Sequence, residues 1–209
     1  MKILSVNTGK LARIGMLGAK TGIAKLPRDG AVAVGPLGLD GDAIGNLKHH
    51  GGPDQAVYVY MREDYDYWEG ELGRAMPPGQ FGENLTASGF TSLDVSAGDR
   101  FTSGPLVLEV TSPRIPCSVF ARHMDIADLP DRFMKAGRSG FYCRVIAEGT
   151  VAAGDVFTLA AYSGSAVTIR QMMADYPYKR LSDDGRAAYL AAPIHRNMAA
   201  YLRGERGRP

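Results

Sequence analysis

Cysteine, histidine and an excess of charge of one sign are all scarce in this chain. Its 209 residues include two cysteines and four histidines, and 24 lysines and arginines nearly balance 22 aspartates and glutamates. Two cysteines allow one disulfide at most, and an iron–sulfur cluster takes four thiolates. A net charge of +2 is smaller than the excess of lysine and arginine that is typical of a nucleic-acid-binding domain. The composition therefore excludes a disulfide scaffold and predicts no nucleic-acid partner.

Long apolar runs are also missing. No segment approaches the ~20 apolar residues of a transmembrane helix, and residues 1–7 lack the apolar centre of a signal peptide. We therefore expect a cytoplasmic protein that does not bind membranes. In a reducing compartment Cys117 and Cys143 are expected to be free thiols, so each needs its own explanation.

Glycine and proline, by contrast, are abundant. The 26 glycines and 12 prolines lie mostly before residue 165, where they separate short runs rich in Val, Ile, Tyr and Phe. Such runs between turn residues are typical of an all-β barrel or sandwich. The predicted strands are 2–6, 31–34, 56–60, 106–111, 141–147 and 156–160. The fold class is therefore predicted to be mostly β, with short helices.

Two eight-residue segments resemble each other. Residues 95–102 and 151–158 share Val at the first position, Ala-Gly-Asp in the middle and Phe-Thr at the end. Glycine allows a positive φ, and an aspartate side chain can accept a hydrogen bond within its own turn. The similarity predicts one turn type used twice, each time before a strand.

Helical patterns occur in the middle of the chain and again near the C-terminus. Apolar residues at i, i+3 and i+7 predict a helix over 62–72, and a short helix is expected after Pro130. Three more helices are predicted near the C-terminus. Thr168 and Ser182 are the expected N-caps of the first two, and Pro193 is the expected first residue of the third.

The predicted organisation has two parts. Residues 1–163 form the β domain and residues 164–209 form a small three-helix segment. Helices of about ten residues are marginal in isolation, so this segment is expected to pack against the β domain.

A dense group of carboxylates, imidazoles and glycines precedes the third predicted strand. The sequence reads Gly-Leu-Asp-Gly-Asp at 38–42 and His-His-Gly-Gly-Pro at 49–53. Histidines with Asp40 or Asp42 are a possible metal site, but adjacent histidines generally point apart and no third histidine lies at ligand spacing. In the structural alternative, Asp42 ties down a turn and His50 bonds to the backbone.

A second polar cluster, Phe-Gly-Glu-Asn-Leu, occupies residues 81–85. A buried Glu83 or Asn84 near a pocket can bond a ligand. The same residues can equally well build a loop.

The third cluster places a cysteine at the end of a strand. Residues 112–117 read Ser-Pro-Arg-Ile-Pro-Cys, and the two prolines restrict the backbone around Cys117. Arg114 favours the thiolate, the form that binds soft metals, and a helix over 118–124 would lower the pKa of Cys117 further. Alternatively, Cys117 is a small buried hydrophobic residue. Cys143, inside a strand-like run, is expected to be structural.

Taken together, these motifs resemble the MOSC domain, the C-terminal domain of molybdenum cofactor sulfurases, and in particular its stand-alone YiiM-like members. The resemblance covers roughly residues 30–160, and residues 165–209 also resemble the three-helix segment that follows the domain in that group. It rests on the ordered set of motifs at 38–42, 50–52, 56–58, 81–85, 97–99, 113–117 and 140–145.

The resemblance implies a MOSC-type β-barrel and a molybdenum cofactor of the molybdopterin type. It also implies that Cys117 is the protein ligand of molybdenum, a role that suits a preplaced soft thiolate. The implied reaction is reduction of small N-hydroxylated molecules, such as hydroxylamino-purine base analogues.

Further roles follow from the same resemblance. The residues expected to bind the cofactor are Cys117, Arg114, Lys48, Asn84 and the backbone amides of Gly51 and Gly52. Asp42, His50 and Asn84 are candidates to bond the pterin or to move a proton, with His50 and Asp42 as candidate catalytic residues beside Cys117. A structural tie is the alternative role of His50.

Electrons must come from elsewhere, because the sequence has neither an iron–sulfur cysteine set nor a dinucleotide-binding fingerprint. A separate electron-donor protein is therefore expected. Two alternatives to a reductase stay open at this stage. In one, Cys117 carries sulfur or the cofactor without turnover. In the other, the chain is an interaction module that binds no cofactor.

Overall fold

The chain folds into a mixed β-sheet with helices. The computed structural model describes residues 1–14, 20–46 and 50–207. Its strands are β1 (Lys2–Gly9), β2 (Lys25–Pro27), β3 (Val32–Gly35), β4 (Gly38–Leu39), β5 (Val57–Met61), β6 (Leu85–Ser88), β7 (Arg100–Ser103), β8 (Leu106–Pro113), β9 (Phe141–Ala147), β10 (Gly149–Val151) and β11 (Thr158–Ala160). Its helices are α1 (Arg62–Leu72), α2 (Ser118–Met124), α3 (Leu129–Ala136), α4 (Ile169–Asp175), α5 (Asp183–Ala191) and α6 (Arg196–Leu202).

Eight strands form one sheet in the order β11-β7-β8-β9-β5-β6-β1-β2, and β10-β3-β4 form a second sheet. The paired strands are antiparallel except β5 and β6, which are parallel because α1 connects them as a crossover helix. Each strand predicted from the sequence overlaps an observed strand. The helical share is larger than a mostly β fold implies.

The two ends of the large sheet approach each other. Lys2 pairs with Val156 in an isolated bridge, and the Phe157 amide donates to the Met1 carbonyl at 2.7 Å. Strand pairing among the described residues does not form a continuous closed barrel. The MOSC-type barrel therefore stays a prediction.

The repeated segments form the same turn twice, as predicted. Asp99 Oδ2 accepts a bond from the Ser96 amide at 2.9 Å, and Asp155 Oδ2 accepts one from the Ala152 amide at 2.8 Å. The glycine before each aspartate has a φ above 90°. The turns precede β7 and β11, which pair with each other in the large sheet.

The helix caps agree with the sequence in two cases out of three. Thr168 accepts a bond from the Gln171 amide at 3.1 Å, and Ser182 accepts one from the Gly185 amide at 3.1 Å. The prediction that Pro193 begins the last helix is wrong.

The last helix, α6, begins at Arg196, and His195 is its N-cap. The His195 amide donates to the Thr111 carbonyl of β8 at 3.1 Å, which ties the chain before α6 to the sheet. The His195 ring then accepts a bond from the Asn197 amide at 3.0 Å. A long-range backbone bond therefore sets the start of this helix.

Two buried clusters hold these elements together. The first combines the large sheet with α4–α6, for example Val110 with Ile169 and Met198, so the C-terminal helices pack on the sheet as expected. The second is aromatic and lies among α1, α2 and α3, with Trp68 and Phe133 stacked at 5.7 Å. The boundary at 163/164 stays a prediction.

Candidate functional site

Cys117 lies where β8 passes into α2. Pro113, the last residue of β8, and Pro116 flank Arg114 and Ile115. Cys117 itself is the N-cap of α2 in an extended conformation, with φ −134°. Its side chain is half-buried. The predicted helix over 118–124 is confirmed, so the cysteine sits at a helix start on a restricted backbone.

Two adjoining cavities meet at Cys117. The inner cavity has a volume of about 180 Å³ and the outer cavity about 480 Å³. Both are lined by His50, Gly51, Cys117 and Tyr142. The inner cavity is further lined by Lys25, Asp42, Tyr58, Asn84 and Arg114, and the outer by Ile115, Tyr178, His195 and Met198. A group bound to the thiol is therefore reachable from two sides.

The surroundings of Cys117 favour the thiolate. Burial raises the pKa of the thiol, but a hydrogen bond from His50, the backbone N–H of Phe120 and the charge of Arg114 lower it more, to about 7. A large fraction of the sulfur is thus ionised at neutral pH. A thiolate is the form that binds metal or attacks an electrophile.

Alkylation of the metal-free protein with iodoacetamide tests this ionisation. We expect the rate at Cys117 to rise with pH with a midpoint near 7. His50→Ala should move that midpoint upward by roughly one unit, because it removes a hydrogen bond to the charged sulfur. Cys117→Ser should remove the labelling. A midpoint near 9 in the wild-type protein would contradict the geometry around the thiol.

Arg114 is a buried cation that faces the inner cavity. It is 6% exposed, and no carboxylate forms an ion pair with it in the part of the chain that the structure describes. Its guanidinium carbon lies 4.1 Å from the ring centre of Phe120 and 5.5 Å from that of Tyr58, and one terminal nitrogen, Nη1, is buried without a hydrogen-bond partner. Ring contacts offset only part of the cost of burying a charge. The arrangement suits an anionic ligand.

The loop before β5 positions His50. The Gly51 amide donates to the Gln55 side chain at 3.1 Å, so this amide already has a partner. Gly51 lines both cavities, whereas Gly52 is absent from the described lining of either one. Lys48 and His49 lie outside the described residues. Of the expected phosphate-binding groups, Arg114 is therefore the one that the structure places in the inner cavity with an unpartnered N–H group.

Asp42 and Asn84 lie together on the wall of the inner cavity, but both side chains are engaged. Asp42 pairs with Lys25 and accepts bonds from the Gly9 amide at 2.8 Å and from Asn84 Nδ2 at 2.8 Å. Asn84 Oδ1 accepts a bond from the Tyr58 amide at 3.0 Å. These bonds hold five chain segments together around the cavity, and they agree with the structural alternative for Asp42.

Glu83 has a structural function. It is fully buried and accepts bonds from the Tyr65 hydroxyl at 2.6 Å and from the amides of Gly79 and Phe81. The Phe-Gly-Glu-Asn-Leu motif thus builds the loop before β6, while its Asn84 reaches the cavity wall.

Asp54 joins the His50 loop to the C-terminal helices. Its buried carboxylate accepts bonds from the Arg196 backbone N–H and side-chain Nε, each at 2.8 Å, and lies 3.2 Å from Arg144 Nε. Burial raises the pKa of Asp54, but the bonds from Arg196 and the charge of Arg144 lower it more, so the net pKa lies below its usual value. This carboxylate therefore fixes His50 and His195 relative to each other.

Asp54→Asn is expected to lower the free energy of unfolding by about 2 kcal/mol at pH 7, because two charge-assisted bonds are weakened. The folded-state pKa of Asp54 is below the unfolded value, so its stabilisation is present above about pH 4 and is lost as pH falls through the folded pKa. The difference between wild type and variant in urea unfolding should therefore shrink in acid. Asp66→Asn, at an exposed helix pair, should change little. An Asp54→Asn protein as stable as wild type at pH 7 would refute this role.

Cys143 belongs to the core. It is fully buried in β9 between Val57 of β5 and Val110 of β8. Burial raises the pKa of its thiol well above the usual value. It is absent from the described lining of both cavities, which agrees with the structural role expected from the sequence.

The simple metal site considered from the sequence has no support in the described residues. They contain no group of three or more His, Cys, Asp and Glu side chains arranged to hold a metal ion. Asp42 is paired with Lys25 instead.

Among the residues that the structure describes, no helix has the length and apolar character needed to cross a bilayer.

Several lining residues gave no usable signal in the sequence. Tyr58 and Tyr142 lie in predicted strands and contact each other with ring centres 4.9 Å apart. Alternation within a strand predicts that one face is buried, but it does not say that a cavity lies under that face. Lys25 was missed because its partner Asp42 is 17 residues away on another segment.

Comparisons with known proteins give the family of this chain. The family model described as MOSC domain matches residues 46–158. Protein YiiM of Escherichia coli is 35% identical over 192 residues, which cover 90% of this chain and 85% of that protein. A protein named Reductase from Gibberella moniliformis is 30% identical over 75% of this chain but only 29% of its own length.

A solved structure extends the match to the fold. The crystal structure of YiiM from Geobacillus stearothermophilus superposes with a TM-score of 0.81 at 31% identity, and the match covers 98% of each chain. That match includes the C-terminal helices as well as the sheet. The chain therefore belongs to the MOSC domain family and is a YiiM-like member of it.

Proposed function

We propose that the chain is an oxidoreductase that binds a molybdenum cofactor of the molybdopterin type and reduces N-hydroxylated compounds such as hydroxylamino-purines. The observation that carries the proposal is the position of Cys117, whose thiol pKa is lowered to about 7, at the junction of two cavities beside the buried Arg114. Arg114 has no ion-pair partner among the described residues. Membership of the MOSC family and a relative named Reductase support it.

The residues present fit such a group. A molybdenum centre needs a soft, deprotonated protein ligand, and Cys117 supplies a thiolate on a restricted backbone. A phosphate-bearing cofactor needs a cationic partner, and Arg114 can supply it. One N–H group of Arg114 is buried and has no hydrogen-bond acceptor among the described residues. The cofactor, when bound, would supply the two-electron redox chemistry for the reduction.

The other side chains would prepare the site. His50 donates a hydrogen bond to the Cys117 sulfur and is solvent-exposed, so it can exchange protons with water and deliver one to a departing oxygen. Asp42 and Asn84 keep the cavity wall in place through Lys25 and the Tyr58 amide. Asp54 holds the His50 loop against α6.

The overall reaction needs two electrons and two protons. An N-hydroxylated amine, R–NHOH, becomes R–NH₂ and water, so a donor must return the electrons after each turnover. We propose that a separate electron-donor protein does so, because the sequence has too few cysteines for an iron–sulfur cluster and no dinucleotide-binding fingerprint.

Turnover under anaerobic conditions tests the proposal. Protein from a host that makes the cofactor is mixed with N6-hydroxyadenine and reduced methyl viologen, and formation of adenine is followed with oxidation of the dye. We expect two equivalents of dye per adenine in the wild type. Bound molybdenum without adenine formation would favour the carrier alternative instead.

A further inference from the structure

The outer cavity has walls from two distant parts of the chain. The Cys117 segment forms one wall, with Ser112 and Ile115, and the C-terminal helices form the other, with Tyr178, His195 and Met198. Its volume of about 480 Å³ lies within the range of small-molecule sites. The cofactor proposal gives no role to the C-terminal wall.

Three tyrosine rings, those of Tyr142, Tyr176 and Tyr178, line this cavity. Tyr178 is 1% exposed, and its ring is fixed by edge-on contacts with Tyr176 at 5.8 Å and Tyr189 at 5.6 Å. Fixed aromatic rings with neighbouring apolar side chains bind flat ring systems by stacking and edge contacts.

The same cavity residues carry polar groups without protein partners. The Tyr178 hydroxyl and Ser112 Oγ are both buried and have no hydrogen-bond partner among the described residues. His195 accepts the Asn197 amide at Nδ1, so the neutral ring carries its proton on Nε2. Unpaired buried donors cost stability, and a ligand with acceptor atoms on its edge would satisfy them.

We propose that the outer cavity binds the heteroaromatic ring of the substrate, with Tyr178 and His195 as specificity-determining residues. This inference rests on the proposed function, since the N-hydroxyl group must reach a metal held at Cys117, where the two cavities meet. The lining chemistry supports it. The inner cavity holds the buried Arg114 guanidinium, which suits an anionic cofactor. The outer cavity also has a cation, Arg206, but this side chain bonds to Asn197, and Tyr178 and His195 present uncharged donors to a neutral ring.

Two variants remove single donors and leave the fold intact. Tyr178→Phe deletes only the unpartnered hydroxyl. His195→Asn removes the Nε2 donor but keeps an N-cap for α6, because asparagine is among the best capping residues. Tyr162→Phe is the matched control, since its hydroxyl bonds to the Ala191 carbonyl and lies outside the described lining of both cavities.

The experiment has two readouts. In the loaded enzyme, each cavity variant should raise KM for N6-hydroxyadenine about five- to tenfold, with molybdenum content and kcat within twofold of wild type. In metal-free protein, calorimetric titration with adenine should show a similar loss of affinity. Tyr162→Phe should change neither quantity.

The outcomes separate this inference from the proposed function. An unchanged KM and unchanged adenine affinity in both variants would overturn the inference while leaving the reductase proposal in place. Loss of molybdenum in the variants would also overturn it, because the cavity would then hold the cofactor. If no turnover occurs in any protein, weaker adenine binding in the two variants still supports the cavity as a ring site, and absent adenine binding to the wild type overturns it.

Discussion

Cys117→Ser is expected to abolish both molybdenum retention and turnover, to below about 5% of the wild-type values. The substitution replaces a thiol of pKa about 7 with a hydroxyl that stays protonated at neutral pH. An alcohol is a poor ligand for a metal that favours soft donors. Molybdenum per folded chain, measured after gel filtration, checks the effect.

Cys143→Ala is the control for this prediction. Cys143 is buried in the core, so its truncation should cost some stability but leave molybdenum per folded chain near the wild-type value. Alanine is preferred to serine here because a buried hydroxyl would add an unsatisfied polar group. If the Cys143 variant alone lost the metal, the assignment of Cys117 would be wrong.

Arg114→Met is expected to separate binding from stability. Methionine has a similar length and no charge, and replacing a buried charge with an apolar residue is often neutral or stabilising. We therefore expect the urea midpoint to stay or to rise. Cofactor affinity should fall roughly 10- to 100-fold, since a charge-assisted bond of about 1.5–3 kcal/mol is lost.

Two further arginine variants give the controls for Arg114. Arg114→Lys keeps the charge without the planar fork and should recover only part of the binding. Arg138 Nη1 lies 2.8 Å from Oδ1 of the fully buried Asp64, and neither residue is in the described lining of either cavity. Arg138→Met removes this ion pair. It should lower stability by about 3 kcal/mol or more without changing the metal content per folded chain. Full cofactor retention by Arg114→Met would show that Arg114 is a packing residue.

The separation between the two cavities follows from the local sequence. Pro113 and Pro116 remove backbone donors and fix the chain on both sides of Arg114 and Ile115. Arg114 lines the inner cavity, while Ile115 lines the outer one. Cys117 comes next at the α2 N-cap and contacts both.

Features encoded by neighbouring residues could be predicted from the sequence. The helix Arg62–Leu72 follows from an apolar stripe and ends at Gly73, and Thr168 and Ser182 are caps because their hydroxyls reach amides three residues on. The repeated Ala-Gly-Asp turn is equally local. In each case the partner atoms lie within a few residues of each other.

Features that depend on distant partners could not be predicted. Pro193 has the local properties of a helix start, yet the bond from His195 to the Thr111 carbonyl, 84 residues away, delays α6 to Arg196. The Lys25–Asp42 pair and the contribution of Tyr178 to the Cys117 site are likewise products of the tertiary fold. Short strands such as β4, with two residues, carry no periodicity at all.

The candidate site also combines features set by neighbouring residues with features set by distant ones. The motif around Cys117 indicated a preplaced thiolate, and the Phe120 amide and Arg114, both within a few residues of Cys117, help to lower the thiol pKa. The largest lowering contribution is the hydrogen bond from His50, 67 residues away, and the motif did not predict it. The burial of Arg114 among aromatic rings could not be predicted, because Phe120 and Phe133 come from two different helices. Its lack of a carboxylate partner became visible only with the neighbouring elements in place.

The molybdenum-to-protein ratio of the wild-type chain tests the central claim most directly. The protein is produced under low oxygen in a host that makes the cofactor, and the ratio is measured by elemental analysis. We predict a value near one, with the metal absent from Cys117→Ser prepared in parallel. A ratio near zero in the wild type, in cells whose other molybdenum enzymes are active, would contradict the proposal that this site holds the cofactor.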